Sequence, residues 1–159
     1  MCLPKELIPI LEKITKEKGI GLEFWSELDG DELDDMLFNL SSELMLSEVD
    51  ENSIPIGYKL VAYIYHWESS CLFSGWYALE NYGDMLPAII ECYDRVGLSQ
   101  EALALKRASQ AWDSVAQDHE KVGAAYSSVE NPYKDEDSRL EYLGNYFKEN
   151  SNVLFYRKK

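Results

Sequence analysis

Asp29-Gly30-Asp31-Glu32-Leu33-Asp34-Asp35-Met36-Leu37-Phe38-Asn39-Leu40-Ser41-Ser42-Glu43-Leu44 carries two messages in one stretch. The first is periodicity. Leu33, Met36, Leu37, Leu40 and Leu44 recur at three- and four-residue intervals, the spacing of one face of an α-helix. Asp29-Gly30 reads as the turn before it. Asp31, Glu32, Asp34 and Asp35 fill the opening turns, where carboxylates meet the positive end of the helix dipole, worth about 0.3–1 kcal/mol each. The second message is charge. Between Gly19 and Tyr58 there are eleven carboxylates and no lysine or arginine: Glu23, Glu27, Asp29, Asp31, Glu32, Asp34, Asp35, Glu43, Glu48, Asp50 and Glu51.

The same helical spacing extends outward in both directions. Leu7, Ile10, Leu11 and Ile14 form a stripe behind Pro4, closed by Gly19 and Gly21. Residues 47–57 read as a polar connector. From Tyr58 to Tyr82 large apolar side chains fall on more than one side of any helix, which places this segment at the centre of the fold. Gly75 and Glu80-Asn81-Tyr82-Gly83 are expected to break it. Met85, Ile89, Ile90, Tyr93 and Val96 make a further stripe ending at Gly97, a left-handed cap. Ser99 is placed to cap the next helix, whose inward positions are Leu103, Leu105, Ala108 and Trp112. Residues 122–138 read as a loop region, and a last helix carries Leu140, Leu143 and Phe147. Only the tail from Val153 to Lys159 hints at alternation. The expectation is an all-α protein of six or seven helices, a single domain over residues 1–159 with an acid-rich part (1–57) and a core part (58–155).

Composition narrows the function. With 46% hydrophobic and 13% aromatic residues, the charge decorates a folded body and not a disordered chain. Net charge is −14, of which residues 1–80 hold −11 (five basic against sixteen acidic) and residues 81–159 hold −3 (ten against thirteen). Such a chain is expected neither to grip phosphates directly nor to dock on an anionic membrane. Three scattered cysteines without a CxxC, and a start lacking a secretion-signal layout, point to the cytoplasm. No metal site or cofactor is expected. Two histidines and separated cysteines make no zinc set, and the Asp29 loop departs from a calcium loop at its fifth, sixth and twelfth places, which are Leu33, Asp34 and Leu40.

Catalysis has little to stand on. Ser69, Ser70, Cys71 and Ser74 lie near His66 and Glu68 in sequence, but no nucleophile elbow or phosphate-cradling glycine run accompanies them. Glu68 sits in the most apolar part of the chain, where an unpaired carboxylate is costly. It must face outward or be held by donors such as tyrosine hydroxyls or backbone amides.

The order Glu68, Gly75-Trp76-Tyr77, Asn81-Tyr82-Gly83, Val96-Gly97-Leu98, Ala108 and Trp112 resembles the small acidic bacterial proteins whose described member is a dimeric DNA mimic. Residues 137–150, with Leu140, Tyr142, Leu143, Tyr146 and Phe147, look like the last helix of that family. The resemblance covers about residues 58–155. The family pattern Asn-Asn-Gly-Gly-Phe is replaced by Ser70-Cys71-Leu72-Phe73-Ser74-Gly75-Trp76. It implies an all-helical fold, homodimerisation and no catalysis, with Glu68, Gly75, Trp76, Asn81 and Gly83 defining a turn between helices.

The expected function is therefore a non-catalytic acidic binding protein, with Asp29, Asp31, Glu32, Asp34, Asp35, Glu48, Asp50 and Glu51 facing a basic partner, such as a DNA-binding protein. Two clusters, at Asp29–Asp35 and Glu48–Glu51, would reinforce each other if the connector folded back on the turn. The alternatives are an immunity or antitoxin protein neutralising a basic nuclease, and an enzyme using Glu68 with His66 or a tyrosine in an aromatic pocket. The plain alternative for the acids is a solvated face.

Overall fold

The computed structural model describes residues 1–158; Lys159, the last residue of the basic tail, lies outside them. The helices are α1 (Ile8–Lys16), α2 (Phe24–Glu27), α3 (Gly30–Leu46), α4 (Ile56–Ser74), α5 (Ala78–Asn81), α6 (Leu86–Arg95), α7 (Ser99–Ala111), α8 (His119–Ser127), α9 (Glu136–Glu149) and α10 (Ser151–Leu154). Single 3₁₀ turns occur at Lys5–Leu7 and Gly75–Tyr77. The protein is all-α. The expected six or seven helices fall short because α2, α5 and α10 are single turns of four residues, too short to announce a period. No strand forms among the described residues; the tail contributes one antiparallel bridge, Cys2 to Arg157. No described helix is long and apolar enough to cross a membrane.

The chain divides into two compact units, residues 1–66 with 140–159, and residues 67–139. The first is built on an aromatic cluster. Trp25 stacks on Phe155 at a centroid distance of 4.4 Å, and Phe155 also meets Tyr58 at 5.1 Å and Phe147 at 6.0 Å. The leucine stripe of α3 is buried as its spacing requires, Leu33, Met36, Leu37, Leu40 and Leu44 alike. Ser41, on the same face, is also buried and donates to the Ala62 carbonyl at 2.7 Å, which satisfies its hydroxyl and ties α3 to α4.

The carboxy-terminal turn closes this unit. Tyr58 Oη donates to the Phe155 carbonyl at 3.0 Å, and Arg157 pairs with Glu6 while donating to the Ser53 carbonyl at 2.6 Å. Gly57 makes that docking sterically feasible. A β-carbon there would lie 2.5 Å from the Leu154 carbonyl oxygen and 2.6 Å from its Cβ.

The second unit packs α6 on α7 and α7 on α8, with Leu86, Ile89, Tyr93, Leu105, Ala108 and Val122 in its core. Gly97 closes α6 with φ +91°, and Gly75 ends α4 with φ +55°. Several expectations are corrected here. Part of the 122–138 loop is helical, because Asp118 caps α8 by accepting from the Lys121 N–H at 3.1 Å and Val122 anchors it in the core. Ser99 does not cap α7; its hydroxyl donates to Asp94 Oδ1 at 2.7 Å. Leu103 is exposed, as are Leu72 and Phe73, the last apolar positions of α4.

The Gly57 approach is testable. Gly57→Ala should destabilise the protein by about 1–3 kcal/mol through overpacking, seen in thermal unfolding as a drop of about 2–4 °C per kcal/mol at this chain length. An unchanged midpoint would show that Leu154 moves freely.

Candidate functional site

Helix α3 brings Asp31, Glu32, Asp34 and Asp35 together. At about 100° per residue these four cover about 160° of arc, centred opposite Leu33, Met36, Leu37 and Leu40. Burial of the leucine stripe therefore dictates where the acids point. Asp31, Glu32 and Asp35 are exposed and Asp34 is half-buried. None of the four forms an ion pair among the described residues. Asp34 carries the consequence: burial first, then the charges of Asp31 and Asp35, push its carboxyl up to about 6.

The remaining acids behave differently. Asp29 precedes α3 and is paired with Lys148, whose ammonium also donates to the Leu28 carbonyl at 3.0 Å. Glu43 is paired with Lys13 at 3.0 Å and Glu51 with Lys59 at 3.7 Å. Glu51 also accepts from Tyr63 Oη at 2.6 Å, Glu23 accepts from Tyr156, and Glu27 accepts from the Gly21 N–H at 3.1 Å. Asp50 accepts from the Asn52 N–H at 3.0 Å, and Glu48 is exposed. Among the described residues, lysines from outside the segment thus pair with three of the eleven carboxylates, two of them from far along the chain.

The two expected clusters do not meet. Helix α3 runs unbroken for 17 residues, about 25 Å at about 1.5 Å per residue. Asp29–Asp35 stand at its beginning and Glu48–Glu51 beyond its end. No glycine or proline interrupts residues 31–46 to fold the chain back.

The Glu68 motif resolves into a buried polar network in the second unit. Glu68 is 2% exposed. Arg139 grips it bidentately, Nε donating to Oε1 at 2.7 Å and Nη2 to Oε2 at 2.9 Å, and Tyr93 Oη donates to Oε1 at 2.6 Å. Arg139 Nη1 donates to the carbonyls of Tyr133 (3.2 Å) and Lys134 (2.7 Å), so all three guanidinium nitrogens are engaged. Burial would lower the guanidinium pKa, but the hydrogen bonds and charge of Glu68 hold it above its ordinary value. Tyrosine was an expected donor to Glu68; Arg139, 71 residues away, gave no sequence signal.

Glu101 was missed altogether. It is 3% exposed, and its Oε2 accepts from Tyr126 Oη at 2.6 Å and Asn131 Nδ2 at 2.7 Å. Burial raises its carboxyl above the usual range. Its spacing to Leu105 and Ala108, i, i+4, i+7, put it on the buried stripe of α7 and was the available signal.

These groups line a cavity of about 210 Å³ with Trp67, Trp76, Cys71 and Lys134. An aromatic-lined pocket holding carboxylates does exist where an enzyme reading needs one. The reactive groups are quiet, however. Glu68 is saturated with donors, and burial, then the Glu68 charge, push the Cys71 thiol up to about 12, far from a thiolate nucleophile. Of the other motif residues, Gly75 provides the left-handed turn, and Trp76 stands against Tyr126 at 5.3 Å with its Nε1 3.7 Å from the β-position of Gly123. Asn81 ends α5, and Gly83 lies close over the Leu79 carbonyl, 3.1 Å from its own β-position.

Comparison with family models, curated proteins and solved structures finds no match to this chain.

Two outcomes are expected. Glu68→Ala or Arg139→Ala should each cost about 3–5 kcal/mol in denaturant unfolding, since either leaves a buried charge alone, and the double variant should cost less than the sum. Simple additivity would show the two groups to be uncoupled. For Asp34, the folded-state value lies above the ordinary 3.8, so the native state holds extra protons between about pH 4 and pH 6. Stability from this group is gained as pH falls through that window and lost as pH rises. Asp34→Asn should therefore raise the melting temperature at pH 7 and bring no gain near pH 4; a pH-independent difference would assign the effect to packing.

Proposed function

We propose that this chain is a non-catalytic acidic binding protein, and that the amino-terminal turns of α3 are the surface that engages a cationic macromolecule. The observation that carries the reading is the contrast within one segment. Asp29, Glu43 and Glu51 have lysine partners, whereas Asp31, Glu32, Asp34 and Asp35 have none among the described residues. Their Cβ atoms are spaced about 5–6 Å apart at three- and four-residue separations, within reach of arginine and lysine side chains that elsewhere grip phosphate. Burial first, and then the charges of Asp31 and Asp35, raise the Asp34 carboxyl, so part of that shift is repulsion within the group. A cationic surface would offset the part of that shift that comes from Asp31 and Asp35.

The partner class that fits is the basic nucleic-acid-binding face of another protein, the same class implied by the resemblance to acidic DNA mimics. A basic nuclease has the same electrostatics. The engaged state of Glu68 and the inert Cys71 favour binding over chemistry. Glu48 and Asp50, beyond the far end of α3, are assigned no share in this contact.

Such binding should be steered by charge, with association slowing by about 10–1,000-fold as salt rises. The test is capture from lysate at low salt with stepwise salt elution, the wild-type chain beside one carrying Asp31→Lys, Asp34→Lys and Asp35→Lys. Recovery of a DNA-binding protein or nuclease by the wild type alone supports the reading. Equal recovery by the reversed chain, folded by circular dichroism, rules the α3 surface out.

A further inference from the structure

The cavity of the second unit is lined by two carboxylates, Glu68 and Glu101, and two cations, Arg139 and Lys134. Arg139 compensates Glu68 and spends its Nη1 donors on the Tyr133 and Lys134 carbonyls. Glu101, nine-tenths buried and more, is met only by neutral donors, Tyr126 and Asn131. Both donate to Oε2, and Oε1 accepts no hydrogen bond from the described residues. The charge of Arg139 reaches Glu101 without a hydrogen bond between them; a buried carboxylate with no hydrogen-bonded cation is expensive, and an acceptor left open at a cavity wall marks where a donor belongs. The other walls are aromatic: Trp67, Trp76 and Tyr126, the last two meeting at 60° with centroids 5.3 Å apart. Aromatic faces beside a carboxylate are the surroundings a cation prefers.

We propose that this cavity binds a small organic cation bearing N–H donors, a primary alkylammonium or a guanidinium, with Glu101 Oε1 as its counter-charge and the Trp76–Tyr126 corner as its wall. The volume of about 210 Å³ lies below the roughly 300–1,000 Å³ of drug-sized sites, which restricts the ligand to a short chain. An anion is disfavoured, because Glu101 and Glu68 both line the cavity while every nitrogen of Arg139 is already donating. Lys134, the other lining cation, is exposed. This inference is independent of the α3 surface and survives if that surface proves inert.

The test titrates the full chain with n-butylammonium, n-butyrate and tetramethylammonium, following the Trp76 indole N–H resonance by NMR. Butylammonium should shift that resonance saturably and butyrate should not. Tetramethylammonium, which has no N–H, should bind more weakly. Glu101→Gln keeps an acceptor for Tyr126 and Asn131 but removes the charge, and should weaken butylammonium binding by about 10–100-fold, the worth of a charge-assisted hydrogen bond. A Glu101→Gln chain with unchanged melting temperature and unchanged butylammonium affinity overturns the proposal, as does butyrate binding as well as butylammonium. Absence of any saturable shift with butylammonium also overturns it. Should Glu101→Gln fail to fold, the comparison among the three probes on the wild-type chain decides.

Discussion

A carboxylate that leaves water must find donors or suffer for lacking them, and this constraint orders the structure. With 29 acidic residues against 15 basic ones, the chain has too few cations to match every acid. It places them selectively. Arg139 goes to Glu68 deep in the second unit, where an uncompensated charge would be hardest to tolerate. Lys148 and Lys13 go to Asp29 and Glu43 in the first. Tyrosine hydroxyls and an asparagine amide serve where no cation among the described residues forms an ion pair, at Glu101 and Glu23.

Two groups of the acids left over stand in different physical situations. On α3 they stand in solvent, screened and supported in part by the helix dipole, and Asp34 is buried enough to be disturbed. In the cavity Glu101 is out of solvent and hydrogen-bonds only to neutral partners. The first arrangement suits a broad cationic surface and the second a single small cation. Both readings come from the same imbalance, expressed once at a surface and once in an interior.

Much of the fold was legible because apolar spacing is local information. The stripe from Leu33 to Leu44 fixed α3 and, with it, the arc on which Asp31, Glu32, Asp34 and Asp35 stand. Gly75 and Gly97 announced helix ends through the conformation only glycine adopts readily, and both have positive φ. The misreadings were also local. Residues 122–127 read as loop because Gly123, Asn131-Pro132 and several serines and aspartates mark residues 122–138 as a whole, yet one buried valine and the Asp118 cap suffice to hold a helix. Glu101 escapes a reading that takes only apolar residues as core, although its spacing to Leu105 and Ala108 puts it on the buried stripe.

Composition and periodicity by themselves determined that this is an all-α protein with an anionic first half, a Glu68 in need of donors and little sign of catalytic apparatus. They could do so because helix spacing and charge counts require no knowledge of distant residues. Only the tertiary structure decided which acids are neutralised, since Lys148 reaches Asp29 across 119 positions and Arg139 reaches Glu68 across 71. It also decided that Glu48–Glu51 stand far from Asp31–Asp35, and that Glu101, with no donor to its Oε1 among the described residues, lines one cavity with Trp76. Ion pairing and cavity shape depend on how folded segments come together, and a linear text holds no distances between them.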